Sequence, residues 1–137
     1  ELTRICKRNG RFAIAAWTPD SNAVKFRQVL QPFMAPPPAP PPSPFVWGTR
    51  EWLTGALGRD FRLASEPGTV ISRFASVEAI WEIYLNGFGP VRAVAAALPP
   101  ERQEEMRRAF MQWAAQFPTD LGVAVPFDYL VTVGQRL

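Results

Sequence analysis

The side chains with which proteins usually do chemistry are sparse in this sequence. Its 137 residues include no histidine. That absence removes the usual general base, the Ser-His and Cys-His nucleophile pairs and most zinc and iron ligand sets. No catalytic group and no metal site is therefore expected. The one cysteine, Cys6, falls at helical spacing with Leu2 and Ile5, the pattern of a buried structural thiol, and it can form no internal disulfide. A single Gly-x-Gly occurs, Gly87-Phe88-Gly89. It follows a helical pattern instead of a strand and lacks a third glycine, so it reads as a helix break. What the chain offers instead is aromatic surface. Val77, Ile80, Trp81, Tyr84, Leu85 and Phe88 recur at steps of three and one residues, the spacing of one helix face. Trp81, Tyr84 and Phe88 either line an apolar pocket or fill a core, and both readings stand. Trp47 either closes such a pocket or anchors its loop.

Charge points to no extended partner. The formal charge of +3 rests on Arg4, Lys7, Arg8 and Arg11 against Glu1, and the rest of the chain balances. A short cationic run at a helix end complements the helix dipole, and no basic stripe interleaved with aromatics follows it, so nucleic acid is not an expected partner. No apolar run approaches the roughly 18 to 20 residues of a membrane span, and no secretory leader pattern opens the sequence. The expectation is a soluble, cytoplasmic chain without a membrane partner. With 47% apolar and 20% charged residues, a single domain over residues 1–137 is the simplest organisation.

The elements follow from periodicity. Residues 1–8 read as the last two turns of an amphipathic helix with Leu2, Ile5 and Cys6 on one face, stopped by Asn9-Gly10. A start inside a helix suggests truncation. The nearly unbroken apolar run 11–17 has the pattern of a strand covered on both faces in a parallel sheet. Residues 21–34 place Phe26, Val29, Leu30 and Phe33 on one helical stripe. Seven of the nine residues from Pro36 to Pro44 are proline, which predicts an extended connector over 36–44. Thr49 is placed to cap a short helix through Trp52, Leu53, Ala56 and Leu57, closed by Gly58. Residues 61–74 read as extended chain interrupted at Pro67-Gly68 by a bulge or turn. Ser76 caps the aromatic helix, a second piece runs from Pro90 to Leu98, and a third begins at Pro99-Pro100. That third helix pairs Glu104 with Arg108 and buries Met106, Phe110 and Trp113, with Phe117 continuing the stripe. Residues 123–133, alternating around Tyr129, Val131 and Val133, form the last strand.

This order resembles part of a larger α/β fold. Residues 1–17, Glu-Leu-Thr-Arg-Ile-Cys-Lys-Arg-Asn-Gly-Arg-Phe-Ala-Ile-Ala-Ala-Trp, resemble the helix, turn and fifth strand of class I S-adenosylmethionine-dependent methyltransferases, with Asn9 where that family usually has proline. Phe45-Val46-Trp47-Gly48-Thr49, Phe74-Ala75-Ser76-Val77-Glu78 and Val125-Pro126-Phe127-Asp128-Tyr129-Leu130 resemble the small-molecule branch of ubiquinone and menaquinone biosynthesis enzymes. The resemblance implies a partial Rossmann-like fold: a three-stranded mixed sheet with strands near 11–17, 61–74 and 123–133, the last inserted antiparallel between its neighbours. It also implies a helical lid or insertion over 76–117. The chain would be the acceptor-side portion of a methyltransferase. Its glycine-rich cofactor loop and acidic ribose ligand would lie in another half, so S-adenosylmethionine belongs to the complete parent enzyme and neither cofactor binding nor turnover is expected of this chain alone. Trp17, at the end of the fifth strand, would face a small-molecule methyl acceptor or serve simple packing, and Trp81, Tyr84 and Phe88 would line the same pocket from the lid. Two other readings compete: a stand-alone module holding an apolar ligand, and a dimerisation module. The edge of strand 11–17 should be covered by a second copy or by another segment.

Overall fold

The computed structural model describes residues 1–36, 39 and 42–137; positions 37, 38, 40 and 41 of the expected proline connector lie outside the described residues. Strands form where β-branched and aromatic residues alternate. β1 (Arg11–Trp17), β2 (Phe61–Phe74) and β4 (Gly122–Arg136) make a sheet in the order β1-β4-β2, and a two-residue strand β3 (Pro118–Thr119) pairs with β4. The register of β1 on β4 is antiparallel, setting Arg11 opposite Gln135 and Trp17 opposite Tyr129. That of β3 on β4 is antiparallel too. Between β2 and β4, the Leu137 N–H donates to the Asp60 carbonyl at 3.1 Å. Further along, the Ser65 and Thr132 hydroxyls meet at 2.7 Å, and Thr69 donates to Asp128 at 2.6 Å. Residue numbers rise on one strand as they fall on the other, an antiparallel register without a slip. The three-stranded mixed sheet expected from the sequence is thus corrected to four strands with antiparallel pairing.

Two further corrections have physical reasons. The run 11–17 is an edge strand whose residues alternate between exposed and half-buried, not a strand covered on both faces. Its outward positions 13 and 15 are alanines, so hydropathy alone does not separate the two faces. The expected interruption at Pro67-Gly68 is absent, since β2 runs unbroken through it. With Asp60 paired to Leu137, alternation points the backbone of even residues toward β4 and that of Pro67 off the edge, where a missing N–H costs the ladder nothing.

The contacts of the chain fall into two units. The first comprises Glu1–Val24, Pro41–Val70 and Phe127–Leu137. Its helices are α1 (Leu2–Ile5) and α3 (Arg50–Leu57), and a 3-10 turn spans Pro44–Gly48. α1 is one turn where two were expected, and Ile5 is 62% exposed, so the anticipated apolar face is not buried there. The following turn uses Asn9 at φ 63°, a left-handed conformation that asparagine tolerates and proline cannot adopt. One sheet face carries Phe12, Ile14, Phe61, Leu63, Leu130 and Thr132. Phe12 and Phe61 meet edge to face at 5.0 Å, and Phe12 lies where a side chain at Gly134 would have to go. Arg136 spans Phe61 by a cation–π contact of 5.5 Å and reaches Asp60 at 3.5 Å. These contacts tie the carboxyl end of the chain to the start of β2.

The second unit comprises Lys25–Pro40 and Ile71–Pro126. It holds most of α2 (Asn22–Leu30), and all of α4 (Val77–Gly87), α5 (Gly89–Ala97) and α6 (Pro100–Ala114). The Ser76 hydroxyl accepts from the Ala79 N–H at 3.1 Å, the expected cap of α4, and proline opens α5 and α6 in their first turns. The predicted stripe of α6 is buried: Met106, Phe110 and Trp113 pack inward with Ile80, Trp81, Val91 and Ala95. Glu104 lies 3.7 Å from Arg108, as its spacing predicts. Along β4 the parity of burial changes. Val123, Val125 and Phe127 are buried, then Leu130, Thr132 and Gly134.

Candidate functional site

A concavity of about 340 Å³ opens at the carboxyl end of β1, lined by Ala15, Ala16, Trp17, Val70 and Tyr129. Its geometry follows from the register. Trp17 and Tyr129 are cross-strand partners, with ring centroids 6.4 Å apart and planes at 74°. Phe127 supports Trp17 from the same face at 5.7 Å. Across β4 from Tyr129 stands Gly68, where any side chain would collide with the tyrosine ring. The glycine thus lets the ring lie over β2, and Val70 flanks it.

The turn after β1 is held from beneath. Thr18 donates its N–H to the Asp128 carbonyl at 3.0 Å. Gly48 of the 3-10 turn sits so close to the Trp17 carbonyl that a side chain there would overlap the backbone. Trp47 itself packs on Trp52 of α3 at 4.7 Å. Trp47 is not among the residues that line the concavity.

Chemically the concavity is a largely apolar slot whose side chains offer two hydrogen-bonding groups, the Tyr129 hydroxyl and the Trp17 indole N–H. Its lining side chains include no carboxylate, thiol or amine, which suits an apolar molecule carrying a polar substituent. Trp17 is 39% exposed and therefore accessible there. Val70 and Tyr129 escaped the sequence reading as site residues, although Tyr129 was visible as a strand residue. The usable signal was the pairing of a β1 aromatic with a β4 aromatic opposite the glycine of Pro67-Gly68, and it needs the register to be read.

Trp81, Tyr84 and Phe88 lie together on α4 in the second unit. Trp81 is buried and Phe88 is 42% exposed. Tyr84 touches Phe26, Phe74, Phe88 and Phe110 with ring centroids 5.1 to 6.4 Å apart. Burial pushes the Tyr84 phenol above its ordinary value, so it stays neutral. These residues are members of an aromatic core completed by Trp113 and Phe117, and the lining of the concavity beside Trp17 is drawn entirely from the first unit.

The one Gly-x-Gly of the sequence lies at the junction of two helices. Gly87 ends α4 and Gly89 opens α5, and a side chain at either would meet nothing within 4 Å. Among the described residues no three acidic or thiol side chains gather to hold a metal ion, and no helix is long and apolar enough to cross a membrane.

No family model matches the chain. It is similar to uncharacterized proteins of Mycobacterium bovis and of two strains of Mycobacterium tuberculosis, each 28% identical over 93 residues, which is 66% of this chain. The chain spans about a third of the length of these curated relatives, 34% in each case.

Proposed function

We propose that this chain is the acceptor-side portion of a small-molecule methyltransferase with a partial Rossmann-like fold, inactive until a cofactor-binding portion is supplied. The observation that carries the reading is the strand order. The last strand, β4, lies between two earlier strands and antiparallel to both, the insertion that the resemblance implies. The position of the concavity agrees with it, since open α/β sheets take ligands beyond the carboxyl ends of their strands. This chain's own part would be positioning: Trp17 and Tyr129 hold the apolar body of the acceptor, and the Tyr129 hydroxyl orients a polar substituent. The reading assigns S-adenosylmethionine to the other portion, because Gly87-Phe88-Gly89 lies between two helices and not after a strand, where a dinucleotide-type glycine loop stands. The missing portion, or a second copy, is the partner the reading requires.

A second reading rests on the same concavity, which is apolar and large enough for a small molecule without any reaction. Calorimetric titration separates the two. The methyltransferase reading expects no heat from S-adenosylmethionine with this chain alone and saturable binding once the rest of the reading frame is added. Consumption of the methyl donor by the purified chain would overturn it, and tight binding of an apolar ligand by the chain alone would favour the stand-alone module.

A further inference from the structure

The two faces of the first unit's sheet are unequal. One carries Phe12, Phe61 and Leu130 and is packed. On the other, register and alternation set Arg11, Ala13, Ala15 and Trp17 of β1 beside Tyr129, Val131, Val133 and Gln135 of β4, with Arg62, Ala64, Glu66 and Val70 on β2. Apart from Arg11, Gln135, Arg62 and Glu66 this second face is apolar, yet it is open: Val133 is 41%, Trp17 39% and Val70 44% exposed, and Ala13, Ala15 and Ala64 are exposed as well. An open apolar sheet face of this kind marks a surface made to be covered.

Its dimensions select the occupant. The face extends over seven residues of β1, about 23 Å at the strand rise, and its outer strands lie about 10 Å apart. One α-helix of about 15 residues is about 23 Å long and about 10 Å wide. The alanines on β1 and β2, flanking the valines of β4, let a helix approach the sheet closely. Arg11 on β1 and Arg62 on β2 flank Gln135 from either side at the end of the face remote from Trp17, two positive charges that complement acidic side chains. The matched relatives are about three times as long as this chain's share of them, which leaves ample polypeptide to provide such a helix.

We infer that the open face of β1-β4-β2 is the docking site of an amphipathic helix from the remainder of a longer polypeptide, its small apolar side on Ala13, Ala15, Val131 and Val133 and its acidic end over Arg11 and Arg62. The helix also walls the open side of the concavity beside Trp17. This rests on the reading above only in assigning the occupant to the same polypeptide.

The test uses the chain with the rest of its reading frame supplied as a separate polypeptide. Because Cys6 is the only cysteine, Cys6→Ser with Val133→Cys gives one reporter thiol on the face. The expected result is rapid maleimide labelling of that thiol in the chain alone and at least tenfold slower labelling in the complex, with Ala15→Glu plus Val133→Lys abolishing co-purification. The control Ile83→Lys, at an exposed position of the second unit, should leave co-purification intact, and circular dichroism checks that each variant is folded. Failure to form a complex, undiminished labelling within it, or a thiol already protected in a self-associated chain would each overturn the inference. Binding of S-adenosylmethionine is measured on the same complex. A complex that protects the thiol but does not bind the donor keeps the docking helix and removes the methyltransferase reading.

Discussion

Glycines 55 and 134 show how far the effect of one methyl group depends on its surroundings. At Gly55, inside α3, an added Cβ meets nothing within 4 Å. Gly55→Ala should therefore stabilise the fold by about 0.5–1 kcal/mol, because alanine loses less backbone entropy on entering a helix. At Gly134 the space is already taken by Phe12, with Leu63 3.1 Å away, and Phe12 is pinned against Phe61. Gly134→Ala should cost about 1–3 kcal/mol by overpacking. Urea denaturation of both variants checks the opposite signs. Tyr84 gives a residue-scale prediction for pH. Its phenol is raised by burial, so above the ordinary tyrosine value the unfolded chain loses its proton before the folded chain does. Stability is therefore full below that value and falls as the solution becomes more alkaline. Tyr84→Phe should flatten this alkaline decline, as read from melting temperature against pH.

Among the elements, α4 and α6 were legible because their signals are local. Ser76 stands at the cap position with an apolar stripe following it, and the same hydrogen bond is present in the structure. Ser76→Ala should lower stability by about 0.5–2 kcal/mol in thermal or chemical denaturation. The bounds of the strands 11–17 and 61–74 were also legible, the first from its nearly unbroken apolar run and the second as extended chain, although the exposure of the one and the continuity of the other were not. What the sequence could not display was pairing. The face that β1 turns outward, the continuity of β2 through Pro67, and the meeting of Trp17 with Tyr129 all depend on a partner more than 50 residues away. The candidate site was accordingly half visible. Trp17 lines it, Tyr129 and Val70 were recovered only from the register, and Trp47, Trp81, Tyr84 and Phe88 are not in its lining and make ring contacts elsewhere. An aromatic stripe at helical spacing cannot by itself tell a pocket wall from a core.

The molecule as a whole divides its buried residues between two sets. Phe110, fully buried, makes ring contacts with Phe26, Trp81, Tyr84 and Trp113, and it is the natural lever on the second unit. Phe110→Ala should cost about 3–5 kcal/mol. Hydrogen exchange should show the loss of protection concentrated in α4, α5 and α6, with the amides of β1 less affected. An equal loss across both units would mean that they open as one.

The reversal of parity along β4 has an evolutionary corollary. Loops usually absorb gained or lost codons without harm, but between Phe127 and Leu130 the chain converts from burying odd positions to burying even ones. A single inserted amino acid at that junction would leave one hydrophobic set in place and turn the other out into water. Genuine homologues should therefore vary freely in the length of the proline tract and hold the spacing from Val125 to Thr132 constant.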